Sequence, residues 1–133
     1  KIGLPVAKEE SKFYDLASQG PAFKIEVKND IYAARSGNIA IETFNTRSNK
    51  ASGLTATQSD IWAHLAYSKI HLCPTKKLKE FVDKTKPLRI IEKGGDGNAM
   101  LCLYSYEVIL PVFTVEENIT KEIVLEWLND AKS

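Results

Sequence analysis

Cysteine and histidine are scarce in this 133-residue chain, with two of each. Cys73 and Cys102 have neither metal-ligand nor redox spacing, so buried thiols in a reducing, cytoplasmic compartment are expected. His64 and His71 are too few for a histidine-rich zinc site. No stretch of about 18 apolar residues occurs, which excludes a membrane-spanning helix. Lys1-Ile-Gly-Leu-Pro5 has no apolar run, so no signal peptide is expected. Repeats, low-complexity runs and linkers are also missing. One domain over 1–133 follows, with chemistry that rests mainly on carboxylates and lysines.

Charge is nearly balanced, at a net of +1, but unevenly spread. Residues 1–100 hold 16 Lys/Arg against 11 Asp/Glu, and residues 101–133 hold 2 against 6. A mildly basic body with an acidic end permits a polyanionic partner without demanding one.

Proline and glycine divide the chain into elements. Residues 5–18 read as a helix opened by Pro5, with Val6, Phe13, Leu16 and Ala17 at helical spacing. Residues 22–29 alternate, with Phe23, Ile25 and Val27 opposite Lys24, Glu26 and Lys28, as in a half-buried strand. After a Ser36-Gly-Asn38 turn, residues 39–44 form a second strand, expected to pair with the first as an antiparallel hairpin. Thr55 or Thr57 is expected to cap a helix to about residue 66, with Ile61, Trp62 and Leu65 inward and His64 half-exposed. Further strands are expected at 68–73, 88–92 and 99–110. Further helices are expected after Thr75, with Leu78, Phe81 and Val82 inward, and after Asn118 or Thr120, with Ile123, Val124, Trp127 and Leu128 inward. The order is roughly αββαβαββα, a mixed α/β (α+β) fold with a central mixed sheet flanked by helices. The apolar 99–113 segment suits either a buried strand or a homodimer interface.

The chemistry concentrates between Glu26 and Asp60. Period two puts Glu26, Lys28 and Asp30 on one strand face. Glu42 stands within Ile39-Ala-Ile-Glu-Thr-Phe44, where a carboxylate is costly to bury unless it is paired or binds metal. Two neighbouring carboxylates suit Mg²⁺ or Mn²⁺, which favour oxygen ligands. Lys28 can orient a water there and neutralise charge on a phosphate. The plainer reading is a solvated strand face with Glu42 salt-bridged to Lys28.

Phe23-Lys-Ile-Glu-Val-Lys-Asn-Asp30, Ser36-Gly-Asn-Ile-Ala-Ile-Glu42 and Ser52-Gly-Leu-Thr-Ala-Thr-Gln-Ser-Asp60-Ile-Trp62 resemble three ordered blocks of the PD-(D/E)XK nuclease superfamily. The likeness is to its small phage-type members, which read EVKxD…GNxxIE…SGxxxTxAD. It covers residues 23–62, with a looser fit at the Gly94–Asn98 turn. The resemblance implies a restriction-endonuclease-like fold and metal-dependent hydrolysis of phosphodiester bonds in nucleic acid, DNA above all, in a phage or its bacterial host. It makes Asp30 and Glu42 ligands of Mg²⁺ or Mn²⁺, with Glu9 or Glu10 of the first helix as a further ligand and Asp15 as a weaker candidate. Members commonly work as homodimers. The chain departs from the pattern at the lysine: Phe44 stands two residues after Glu42, and Gln58 stands where related sequences carry Lys. Lys28 or Gln58 then takes that role, or the role is unfilled and a binding module with the same fold remains. A literal Glu26-Val-Lys28 motif would instead need Asp15 as its aspartate.

For substrate contact, Ser52 and Thr57 before a helix start can hold a phosphate, while Arg35, Arg47 and Lys50 flank the acids. Lys76, Lys77, Lys79, Lys84, Lys86 and Arg89 form a second basic cluster suited to sequence-independent backbone contact.

Overall fold

The structure, a computed structural model, describes residues 22–94 and 97–130. The first helix read from the sequence, with Glu9, Glu10 and Asp15, lies outside the described residues. The remainder is a mixed α/β fold of two four-stranded sheets and four helices. In chain order the elements are β1 (Ile25–Asn29), α1 (Ala33–Ser36), β2 (Asn38–Asn45), β3 (Lys50–Ala51), β4 (Ile61–Ala66), β5 (Lys69–Pro74), α2 (Thr75–Lys84), β6 (Arg89–Gly94), β7 (Ala99–Ser105), α3 (Tyr106–Ile109), β8 (Thr114–Val115) and α4 (Lys121–Asp130). Short 3₁₀ turns flank β8.

The expected hairpin between the first two strands does not form, and the described strands make two sheets instead of one central sheet. β1 runs parallel to β4, from Ile25 opposite Ile61 to Asn29 opposite Leu65, in a sheet ordered β1-β4-β5-β8. β2 lies in the other sheet, ordered β3-β2-β7-β6, antiparallel to β7. Tyr32 to Ser36 turn the chain from one sheet to the other. Gly37 ends this turn at φ 78°, and its N–H donates to the Ala33 carbonyl.

Residues 55–66 also differ from the expectation. The expected helix is a loop through Asp60 followed by β4, all six of whose residues are buried. A central strand covered on both faces is apolar on both, so Ile-Trp-Ala-His-Leu-Ala carries no alternation. One face of β4, with Ile61, Ala63 and Leu65, packs with Ile70, Leu72 and the inward side of α4. The Thr120 hydroxyl caps α4 by accepting from Ile123 N–H at 3.2 Å. The other face carries Trp62 and Ala66 against Ile39, Ile41, Leu54, Leu78 and Tyr104, and forms the core between the sheets. Each fully buried Leu- or Ile-sized side chain contributes about 1.5–3 kcal/mol.

β7 stops at Ser105, short of the expected strand to residue 110, and α3 follows. β7 pairs with β2 on one edge and β6 on the other, so it is internal to its sheet. Thr75 is the first residue of α2 and does not cap it. Among the described residues no helix is long and apolar enough to cross a membrane.

Candidate active site

Parallel register decides which way β1 faces. Ile25 and Val27 pack on the α4 side. Glu26 and Lys28 lie beside Trp62 and His64 on the opposite face. Asp30 follows at the end of the strand, its N–H donating to the Leu65 carbonyl at 2.9 Å. On β2, Ile39 and Ile41 enter the core, which leaves Ala40 and Glu42 on the outer face.

Asp30 joins the two sheets. Its Oδ2 accepts from the backbone N–H of Ala40 at 2.9 Å and lies 3.0 Å from His64 Nε2. The side chains of this His–Asp pair are 2% and 7% exposed. Oδ1 accepts nothing from the described residues. Glu42 stands two residues beyond Ala40, about 7 Å along β2. Its Oε2 accepts from the Ser52 hydroxyl at 2.7 Å, and no described residue bonds Oε1.

The loop from Ser52 to Asp60 ties both strands to this arrangement. The Thr57 hydroxyl lies 3.2 Å from Glu26 Oε1, so one loop brings a hydroxyl to each glutamate. The Leu54 N–H donates to the Glu42 carbonyl at 2.8 Å. Gly53, at φ 53°, makes this approach possible, because a Cβ there would overlap the Glu42 backbone. Lys28 Nζ lies 3.6 Å from Glu26 Oε2. The ion pair that the sequence suggested for Glu42 is therefore made by Glu26.

The loop also corrects several expectations. With no helix starting at Thr55 or Thr57, Ser52 and Thr57 do not form a helix-terminal phosphate cradle; they bond carboxylates. Gln58 is exposed in the loop. Asp60 closes this loop, its Oδ2 accepting from Lys24 N–H at 2.9 Å. Arg35, Arg47 and Lys50 are exposed, on α1, the 46–49 turn and β3. In the second basic cluster Lys79 is committed, donating to the Thr57 carbonyl at 3.1 Å. Lys76, Lys77, Lys84, Lys86 and Arg89 are exposed.

A cleft of about 610 Å³ opens beside Asp30. It is lined by Asn38 and Ala40 of β2, Leu101 and Leu103 of β7 and Arg89 and Ile91 of β6, with Ile31 and Tyr32 of the turn after β1. Tyr32 is 62% exposed and Ile31 70%. The volume is that of a typical small-ligand site.

Sequence reasoning missed His64, which is 1% exposed on a central strand. Its Nδ1 accepts from Trp62 Nε1–H at 3.2 Å. Trp62 is fully buried, as its core assignment required. Behind it, His71 Nδ1 donates to the His64 carbonyl at 3.2 Å, and the Tyr106 hydroxyl donates to His71 Nε2 at 2.6 Å. Burial holds His71 below the usual histidine range and lifts the Tyr106 phenol above its own, so the hydrogen of that short bond stays on Tyr106. Burial raises the Cys73 thiol far above its ordinary value, despite Lys77 nearby.

Hard carboxylate oxygens on Asp30 and Glu42 suit a divalent cation. Among the described residues no group of three or more His, Cys, Asp and Glu side chains is arranged to hold a metal ion. Mg²⁺ commonly takes only one or two carboxylates and completes its shell with water and substrate phosphate.

No family model, curated protein or solved structure matches this chain.

Proposed function

We propose that this chain is a metal-dependent endonuclease of the PD-(D/E)XK type, hydrolysing phosphodiester bonds in nucleic acid, most readily DNA. One observation carries the reading: Asp30, anchored through Oδ2 and lining the cleft, and Glu42, anchored through Oε2 two residues beyond Ala40, each have one oxygen that no described residue bonds. Asp30 and Glu42 are the residues that would hold Mg²⁺ or Mn²⁺. Such an ion lowers the pKa of a bound water and offsets charge on the phosphate. Lys28, on the Asp30 face of β1, takes the lysine's part by orienting the nucleophile, and Glu26 and Thr57 hold it in place. Arg35, Arg47, Lys50 and Arg89 contact the nucleic-acid backbone in a sequence-independent way.

A second reading is favoured by the Lys28–Glu26 ion pair. If that pair persists with substrate bound, the lysine is spent and the chain is a binding module. Plasmid nicking with Mg²⁺ or Mn²⁺ separates the two. The nuclease reading expects nicking by the wild type, none by Asp30→Ala or Glu42→Ala, and a loss of about 10²-fold or more in Lys28→Ala, comparable to losing one charge-stabilising donor. Plasmid binding without nicking would favour the module.

A further inference from the structure

We propose that Trp62 and His64 are positioning residues for Asp30: the indole fixes the imidazole tautomer, and the imidazole fixes which carboxylate oxygen is left for a cation. The inference rests on the nuclease reading above.

The donor inventory leads to it. An indole Nε1–H only donates, so His64 Nδ1, 3.2 Å away, accepts and carries no hydrogen. The ring hydrogen then stands on Nε2, 3.0 Å from Asp30 Oδ2. The other tautomer would set two hydrogens against each other at Trp62 and turn a lone pair toward a carboxylate. The Ala40 N–H occupies the same Oδ2 at 2.9 Å. Two donors fill Oδ2, and no described residue bonds Oδ1 of this carboxylate, which lines the cleft.

The rest of the network stiffens this arrangement. The His64 carbonyl accepts from His71, and His71 accepts from Tyr106. The Phe113 ring lies 6.2 Å from that of His64. Trp62, His64 and His71 are at most 1% exposed, so water does not compete for these bonds. Apolar side chains would fill such a core without desolvating polar groups. This polar chain instead ends on one cleft carboxylate. Hydrogen-bond partners behind a metal ligand commonly change metal affinity by about 10- to 100-fold.

The test uses wild type, Trp62→Phe, His64→Gln, His64→Leu and the Trp62→Phe/His64→Leu double variant. Mn²⁺ affinity is measured by calorimetry, melting temperature is followed in parallel, and ring ¹⁵N shifts of His64 are recorded in metal-free wild type and Trp62→Phe. The wild type is expected to show the Nε2–H tautomer, and Trp62→Phe a mixture. Mn²⁺ affinity is expected to fall about tenfold or more in His64→Leu and less in His64→Gln, which keeps an N–H donor. Adding Trp62→Phe to His64→Leu should lower it no further, because Trp62 acts through His64. An Nδ1–H tautomer in the wild type overturns the proposal, as does wild-type Mn²⁺ affinity in a folded His64→Leu. If His64→Leu does not fold, unchanged tautomer and affinity in Trp62→Phe overturn it equally. A wild type that binds no Mn²⁺ overturns the nuclease reading itself, and with it the metal role of these residues; wild-type binding with unaffected variants overturns only the positioning claim.

Discussion

Asp30 joins two sheets through a single oxygen, and its replacement tests structure and chemistry together. Asp30→Ala leaves the Ala40 N–H and the His64 ring hydrogen without their acceptor in a site 7% exposed. An unsatisfied buried donor costs about 1–3 kcal/mol, so urea unfolding should show a loss of that size. Asp30→Asn keeps an acceptor oxygen and should lose less stability, while still failing to hold a cation. His71 gives a pH signature. Burial lowers its pKa in the fold, with the Coulombic influence of His64 and Lys69 adding to the shift and backbone hydrogen bonds opposing it. Below about pH 6.5 the unfolded chain takes up a proton that the folded chain refuses. Stability is therefore expected to fall as pH drops through 6.5 toward the lower folded value, and His71→Asn should flatten that part of a urea-midpoint profile against pH. Tyr104 acts at the other end: burial lifts its phenol to about 12, and its hydroxyl donates to the Thr85 carbonyl.

Among the elements, the 52–60 loop decides whether Glu42 is held. A Cβ at Gly53 would overlap the Glu42 backbone, and φ there is positive. Gly53→Ala is expected to cost more than the roughly 1 kcal/mol of an ordinary αL glycine, read as a drop in melting temperature, and to weaken Mn²⁺ binding because Glu42 moves with the loop. This element also separates what the sequence reveals from what it hides. Strands β1, β2, β5 and β6 and helices α2 and α4 announce themselves through alternation, β-branched runs and a helical stripe of Leu78, Phe81 and Val82. β4 does not. Ile61, Trp62 and Leu65 satisfy a helical stripe and a fully buried strand equally well, and short apolar runs cannot be told apart by period. Misplacing β4 concealed His64, since a lone histidine on an expected surface helix gives no hint of a buried bond to Asp30.

Across the whole molecule, strand pairing is the part that local pattern could not reach. Asp30 and Glu42 stand out by residue type, and Glu42 within an apolar strand is conspicuous. Their relationship depends on β1 pairing with β4 and β2 with β7, contacts made far along the chain. A hairpin would have put the two acids on one sheet; instead the Asp30–Ala40 bond ties the end of β1 to β2 two residues from Glu42. Arg89 lines the cleft, and Arg35, Arg47 and Lys50 are exposed on α1, the 46–49 turn and β3. If Arg35, Arg47 and Lys50 each neutralise one phosphate, the Arg35→Ala/Arg47→Ala/Lys50→Ala variant should reduce the salt dependence of duplex binding by about 2 to 3 in the slope of log K against log salt. Fluorescence anisotropy across a salt series reads this directly.

The most direct test of the central claim is a calorimetric titration of Mn²⁺ into the wild type and an Asp30→Ala/Glu42→Ala variant that circular dichroism shows to be folded. Saturable binding by the wild type that disappears in the variant is the result expected of a cation held by these two carboxylates. Absence of binding in the wild type, or equal binding in both proteins, would contradict it.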